Sequence, residues 1–396
     1  MTSRLARPLA ILAVTQVIGW GTILLPPVIG AAMGASLGLD LPVVLAGSSL
    51  VMVVAGLASP LLGRAYRLWG ARSVMMAGTP VGAAGLLVLA TATGLATYLA
   101  AWMVLGLFGA MVLSTSANAY LNELAGIRAK GAIGLVMLVT GLATGIFWPV
   151  TAWLDAAIGW RGAVALYAGL QLGLMLPLLA WLPPAAAIAS PAAQAGPAPA
   201  GTPFRLMAGA IGLNAFVSFG LEAVTIALLS AYGYGPAEAV AAASAMSLLK
   251  VAGRAIDMMG GQRWDGMTTG IAATAAMPLG LMALLLGGGG VASATAFAVL
   301  FGLGSGAFAV ARATMPLLFY DRAAYGAALA RIALPLNLAA AAAPPILASL
   351  LTRLGPAGVL TATLACSLGA LALLIRLARG RPAPAARCLP LSPPAC

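Results

Sequence analysis

The sequence predicts an all-α integral membrane protein of twelve transmembrane helices, built as two pseudo-symmetric six-helix halves. Three observations carry this. Of 396 residues, 62% are hydrophobic and 7% charged, with a mean hydropathy of +1.05. A soluble chain of this size cannot bury that much apolar surface, so lipid is the solvent for most of it. The apolar residues fall into twelve runs, each long enough to cross a bilayer. A Gly-Arg-Ala stretch that ends one run, Gly63-Arg64-Ala65, recurs as Gly253-Arg254-Ala255.

A span needs about 20 apolar residues, because roughly 30 Å of hydrocarbon is crossed at a rise of about 1.5 Å per residue. The runs lie at residues 9–35, 42–62, 74–93, 95–121, 132–154, 163–182, 206–231, 236–258, 267–286, 291–319, 327–351 and 357–376. They lack strand-like alternation, and backbone groups cannot stay unpaired in lipid, so they are expected to be helices. Placing the N-terminus in the cytoplasm puts every basic residue on the cytoplasmic face except Arg161, Arg353 and the intramembrane Arg312. Both termini are then cytoplasmic.

Residues 183–204 are rich in Ala and Pro and uncharged until Arg205. They read as a linker between a first half, 1–182, and a second, 205–378. The basic, Pro-rich tail 379–396 is expected to be disordered. The repeat reaches further: Gly106-Leu107, Pro149, Gly159 and Gly162 match Gly302-Leu303, Pro345, Gly355 and Gly358 at one constant offset.

Composition also excludes functions. There is no histidine, which removes imidazole metal ligands, His-activated nucleophiles and His proton relays. Cys366, Cys388 and Cys396 have no metal-site spacing, so no cofactor or metal is expected. The net charge of +12 is dispersed between apolar runs without an aromatic-interleaved basic face, which argues for positive-inside topology and against nucleic acid.

Twelve spans, a central linker, like halves and a Gly/Arg turn after the second span of each half resemble the major facilitator superfamily over residues 1 to about 378. The superfamily's loop signature reads roughly Gly-x-x-x-Asp-Arg-x-Gly-Arg-Arg. Gly63, Gly70 and Arg72 fit it, but Arg67 stands at the acidic position and Leu68 at the basic one; the second copy keeps Gly253, Asp257 and Gly260 in pattern, with Arg254 beside them. The resemblance implies a latch at the cytoplasmic face formed by these two stretches, with Asp257 as its acid. It also implies a central cavity lined by the first, fourth, seventh and tenth helices. Trp102 stands where many proton-coupled relatives carry Arg, and Gly141-x-x-x-Gly145 lacks the following Pro of drug antiporters. Gly19-Trp20-Gly21 is similar to the monocarboxylate and oxalate–formate branch.

Glu222 is the one acid deep inside a predicted span, with Asn214, Ser218 and Thr225 on its face at i−8, i−4 and i+3. A charge there costs about 2.5–3.5 kcal/mol, so the residue either carries a proton reversibly or is hydrogen-bonded to other helices for packing. Arg312 shares a face with Ser305 and Phe308. Its guanidinium either grips a carboxylate or phosphate in bidentate fashion or snorkels to the interface. Ser114, Asn118 and Asn122 recur every four residues, and Gln16 lies near Thr15 and Thr22; in the helices that the resemblance places around the cavity, these are hydrogen-bonding candidates or packing residues. Trp148, in the stripe Thr140-Thr144-Trp148-Thr151, is a gate, a stacking surface or a packing residue. Lys250 and Arg331 are explained by topology alone.

The expectation is a secondary transporter of the inner membrane, monomeric, whose partners are the bilayer and a small organic solute, with an anionic one favoured by Arg312. Glu222 would be its proton carrier, and Arg312, Asn118, Ser114, Gln16, Asn214, Ser218 and Trp148 its substrate contacts. An efflux antiporter for apolar or cationic compounds stays open, and more remotely an integral-membrane enzyme acting on lipid-linked substrates.

Overall fold

A computed structural model describes residues 3–125, 129–184, 201–260, 264–320 and 322–380. Among them every regular element is helical: α1 (Ser3–Gly21), α2 (Pro26–Leu37), α3 (Leu41–Ala90), α4 (Leu95–Val112), α5 (Ser114–Ala125), α6 (Ala129–Thr140), α7 (Ala143–Leu170), α8 (Leu176–Ala180), α9 (Thr202–Ala231), α10 (Pro236–Gly260), α11 (Gly266–Leu286), α12 (Val291–Thr314) and α13 (Arg322–Arg379). A π-helical turn, Gln171–Met175, joins α7 to α8. Most of the expected linker lies outside the described residues, as do 381–396 of the tail, and α9 begins inside the linker's expected limits at Thr202.

Ten stretches among the described residues are long and apolar enough to cross a membrane, and two of these, Ala132–Ala180 and Pro335–Arg379, have 49 and 45 residues. At about 1.5 Å per residue each is more than twice the thickness of the hydrocarbon. Each folds back at a glycine, Gly159 (φ 73°, ψ 161°) in the first and Gly355 (φ 68°, ψ −171°) in the second, a conformation open essentially to Gly alone. Split there, the ten stretches become the twelve expected spans. These two glycines are a matched pair of the sequence repeat.

Three spans of the first half are broken in mid-course, where the sequence reading expects continuous helices. The first stops at Gly21 and resumes at Pro26, because Pro26-Pro27 cannot continue a helix. The fourth breaks at Leu113, whose backbone is extended (ψ −157°). The fifth breaks at Gly141-Leu142. A break frees carbonyls that must find donors. Trp148 Nε1 donates to Leu24 O (3.1 Å) and Gln16 Nε2 to Val112 O (2.9 Å), while Arg254 Nη1 adds a long bond (3.3 Å) to Met137 O, which keeps the Gly141 N–H (3.2 Å).

Glycine also sets how closely spans approach. A Cβ on Gly306 would stand 2.0 Å from Lys250 O, and one on Gly253 would stand 2.3 Å from Leu303 O, so α10 and α12 touch backbone to backbone. Among the described residues, the halves share a buried apolar cluster at one end only. There Leu45 and Trp148 pack with Val217, Leu221, Leu347 and Leu351, whereas the other clusters draw on a single half. We term that sealed end the far end; Ser3, the Gly70 turn and Arg379 lie at the near end.

Candidate functional site

A cavity of about 230 Å³ lies between the halves at the level of the broken spans. The first half contributes Trp20, Leu24, Ser114, Thr140 and Thr144, which flank the three breaks. Non-helical backbone at membrane depth is tolerated where it lines a cavity, and this placement obeys that rule. The second half contributes the charges. Glu222 from α9, Lys250 and Arg254 from α10, and Arg312 from α12 all face the space, with Asn214, Ser218 and Ser305 between them.

Lys250 Nζ donates to Glu222 Oε2 at 2.8 Å, the side chains being 10% and 26% exposed. This corrects the topological reading of Lys250. The lysine is held in the site because Gly306 lets α12 press against its backbone. Glu222 also borders a second cavity of about 70 Å³ toward the far end, lined by Ser48, Met52 and Trp148, so its carboxylate sits where the two spaces meet. Asn214 donates through Nδ2 to Met277 Sδ and accepts from Ser218 Oγ (3.2 Å), which fixes the polar stripe of α9.

Of the expected contacts, Arg312, Ser114, Asn214, Ser218 and Glu222 line the central cavity. Gln16 does not, since it is buried beside the fourth-span break, where it satisfies Val112 O. Trp148 is 1% exposed and belongs to the far-end seal rather than to the central cavity. Asn118 lies a turn beyond Ser114, outside the lining.

The expected gate residues divide differently from the sequence pattern. Arg254 lines the cavity, and Gly253 is a helix-contact glycine rather than a turn. Gly70 is the turn glycine of the first copy (φ 75°, ψ 153°), while Gly260 closes α10 against Trp264. Arg72 Nη2 caps the last carbonyl of α8, Ala180 O (2.7 Å). Asp257 Oδ1 accepts from Thr269 Oγ1 on α11 (2.6 Å). Gly63 and Arg67 lie within α3, and their side-chain environment is outside the described residues. Glu123, overlooked in the sequence, receives the Ala71 backbone N–H on both oxygens (3.2 and 3.3 Å). An acid just beyond the fourth span, on α5, thereby serves the turn whose own acidic position holds Arg67. Burial pushes the Glu123 carboxyl above its ordinary value, partly offset by that hydrogen bond.

A signal for Lys250 and Arg254 was present in α10: Ser244, Ser247, Lys250 and Arg254 recur at steps of three and four, which is one helical face.

The sequence matches the family model described as Major Facilitator Superfamily over residues 9–294. The chain belongs to the major facilitator superfamily. Comparison with curated protein sequences finds no match. Its fold is similar to that of a bacterial homologue of the human lysosomal transporter Spinster, solved inward-facing and unoccupied (TM-score 0.72, 14% identity, 97% of this chain and 100% of that one). It is also similar to the nucleoside transporter NupG (0.74, 14%, 94% and 98%) and to the human organic anion transporter MFSD10 (0.63, 18%, 93% and 99%). This superfamily member is a multi-pass membrane protein and a secondary transporter rather than an enzyme.

Proposed function

We propose that the protein carries a small organic anion across the inner membrane by alternating access, with Glu222 as the site of the coupling proton. The observation that carries this reading is the charge of the cavity. Among the described residues it presents three cations, Lys250, Arg254 and Arg312, against one carboxylate, Glu222. Such a space concentrates anions and repels cations, which counts against efflux of cationic compounds. Its volume of about 230 Å³ falls below the roughly 300–1,000 Å³ of sites for drug-sized ligands, which favours a small solute. With the N-terminus cytoplasmic, the near end is the cytoplasmic end, and the apolar seal at the far end corresponds to an inward-facing state. The two halves, 1–182 and 205–378, would then rock about the cavity as a monomer.

The proton role rests on the Glu222–Lys250 pair. Protonation of Glu222 releases Lys250 to the solute, so anion and proton favour each other's binding and travel together. The test is transport by Glu222→Gln in proteoliposomes. Counterflow of the anion is expected to persist while proton-driven accumulation is lost. Accumulation that keeps its dependence on the proton gradient would overturn the assignment.

A further inference from the structure

We infer that the solute is a dianion, held by Arg254 and Arg312 acting as a two-guanidinium clamp. The inference rests on reading the central cavity as the transport site and deepens it by naming the charge of the cargo.

Of the three cavity cations, Lys250 alone has a carboxylate partner, Glu222 at 2.8 Å. Arg254 gives one hydrogen bond, a long one of 3.3 Å to Met137 O, and its Nε is buried without any partner. No hydrogen bond or ion pair is formed by Arg312 among the described residues. The two guanidiniums nonetheless face the same cavity from helices in backbone contact. Two like charges drawn together in a water-poor site, each with donor capacity to spare, are an arrangement that an anion relieves and that solvent serves poorly.

The second half holds both groups rigidly. Arg254 is on α10 and Arg312 on α12, the pair of helices locked backbone to backbone at Gly253 and Gly306. Their separation is therefore set by the fold, which is what a clamp requires. Across the space, α7 begins at Ala143, and its first residues, Ala143 and Thr144, line the cavity. The positive end of this helix, which runs from Ala143 to the Gly159 fold-back, thus adds to the field on the anion.

Charge balance sets the lower bound. With Glu222 ionised and paired with Lys250, two positive charges are left over, and a monoanion would leave one uncompensated; a proton on Glu222 adds Lys250 to them, so at least two negative charges are called for in either state. A dicarboxylate of a few carbons and a phosphate monoester both supply two negative charges with planar or tetrahedral oxygens that guanidinium forks fit. Ser218, Asn214 and Ser305 offer neutral hydrogen bonds to the rest of the solute.

The test is equilibrium binding to the purified full-length protein, read by isothermal titration and by ligand-induced shift of Tm, with charge-matched probes. One series is succinate, its monoamide and its diamide; the other is glycerol phosphate and dimethyl phosphate. In at least one series the dianion is expected to bind about tenfold or more tightly than its monoanionic analogue, and the responding series tells carboxylate from phosphate. Arg254→Gln and Arg312→Gln should each erase that advantage. The Arg→Lys variants, which keep the charge, should retain part of it, a pattern that loss of the fold would not give; the unliganded Tm of every variant is measured alongside. The inference is overturned if neither dianion binds more tightly than its analogue, or if the preference survives both Arg→Gln changes. The assay involves no gradient, so it can fail while the Glu222 transport test succeeds, and the reverse.

Discussion

Consider removing the two partners of the cavity ion pair separately and together. At 2.8 Å and an effective dielectric of about 20, the attraction between Lys250 and Glu222 is about 6 kcal/mol. Desolvation of both groups, and the access that Glu222 keeps to the cavity, offset much of this. A net coupling of about 1.5–3 kcal/mol is the reasonable scale for a charged hydrogen bond. The two single changes should not be equivalent. Lys250→Met leaves Glu222 with a second cation in the same cavity, because Arg254 also lines it. Glu222→Gln leaves three cations with no acid among the described lining residues. Glu222→Gln is therefore expected to be the more destabilising, and the double variant should recover part of the loss. The assay is a double-mutant cycle on equilibrium unfolding in mixed micelles. Single effects that add to within about 0.5 kcal/mol, or a Lys250→Met loss exceeding that of Glu222→Gln, would refute the pairing argument.

Three further outcomes follow from backbone geometry and burial. Gly306→Ala, whose Cβ would stand 2.0 Å from Lys250 O, should cost about 1–3 kcal/mol, whereas Gly169→Ala, with nothing within 4 Å, should be neutral or mildly stabilising; unfolding midpoints of the two variants compare them directly. Gly70→Ala meets only Glu123 Oε2, at 4.0 Å, but must adopt φ 75°, ψ 153°, so a loss of about 1–3 kcal/mol from backbone strain is expected, measurable as a lowered Tm. The folded Glu123 carboxyl titrates above its ordinary value of 4.5, so its contribution is full below the unfolded value and is lost as pH rises through the folded one. Glu123→Gln should flatten that part of the Tm-versus-pH curve, and an unchanged slope would contradict it.

The fold was legible because lipid makes apolar run length nearly decisive, and positive-inside counting orders the runs. The three mid-span breaks were harder to see. Pro26-Pro27 signals the first, but the extended backbone at Leu113 leaves no mark in the sequence, since its cause is tertiary: Gln16 stands ready to take the freed carbonyl. The site was half legible. Glu222 and Arg312 stood out because a charge deep in an apolar run is costly and calls for a partner or a role. Lys250 and Arg254 did not, because cations near a span end satisfy the topology rule whichever way they point, and their inward facing is set by the glycine contact of α10 with α12. Trp148 and Gln16 drew attention as polar or aromatic residues at membrane depth, yet both answer to carbonyls freed by broken helices. Arg67 removed the latch acid from the first turn, and Glu123, just beyond a different span, receives the turn's backbone N–H.

The central claim, that one cavity couples an anion to a proton through Glu222, is tested most directly by proton movement itself. Vesicles containing the protein and a trapped pH-sensitive dye are given an anion that binds. Entry of the anion should acidify the lumen for the wild type, and Glu222→Gln should exchange the anion without acidification. Anion entry with no pH change in the wild type, or acidification undiminished in Glu222→Gln, would contradict it.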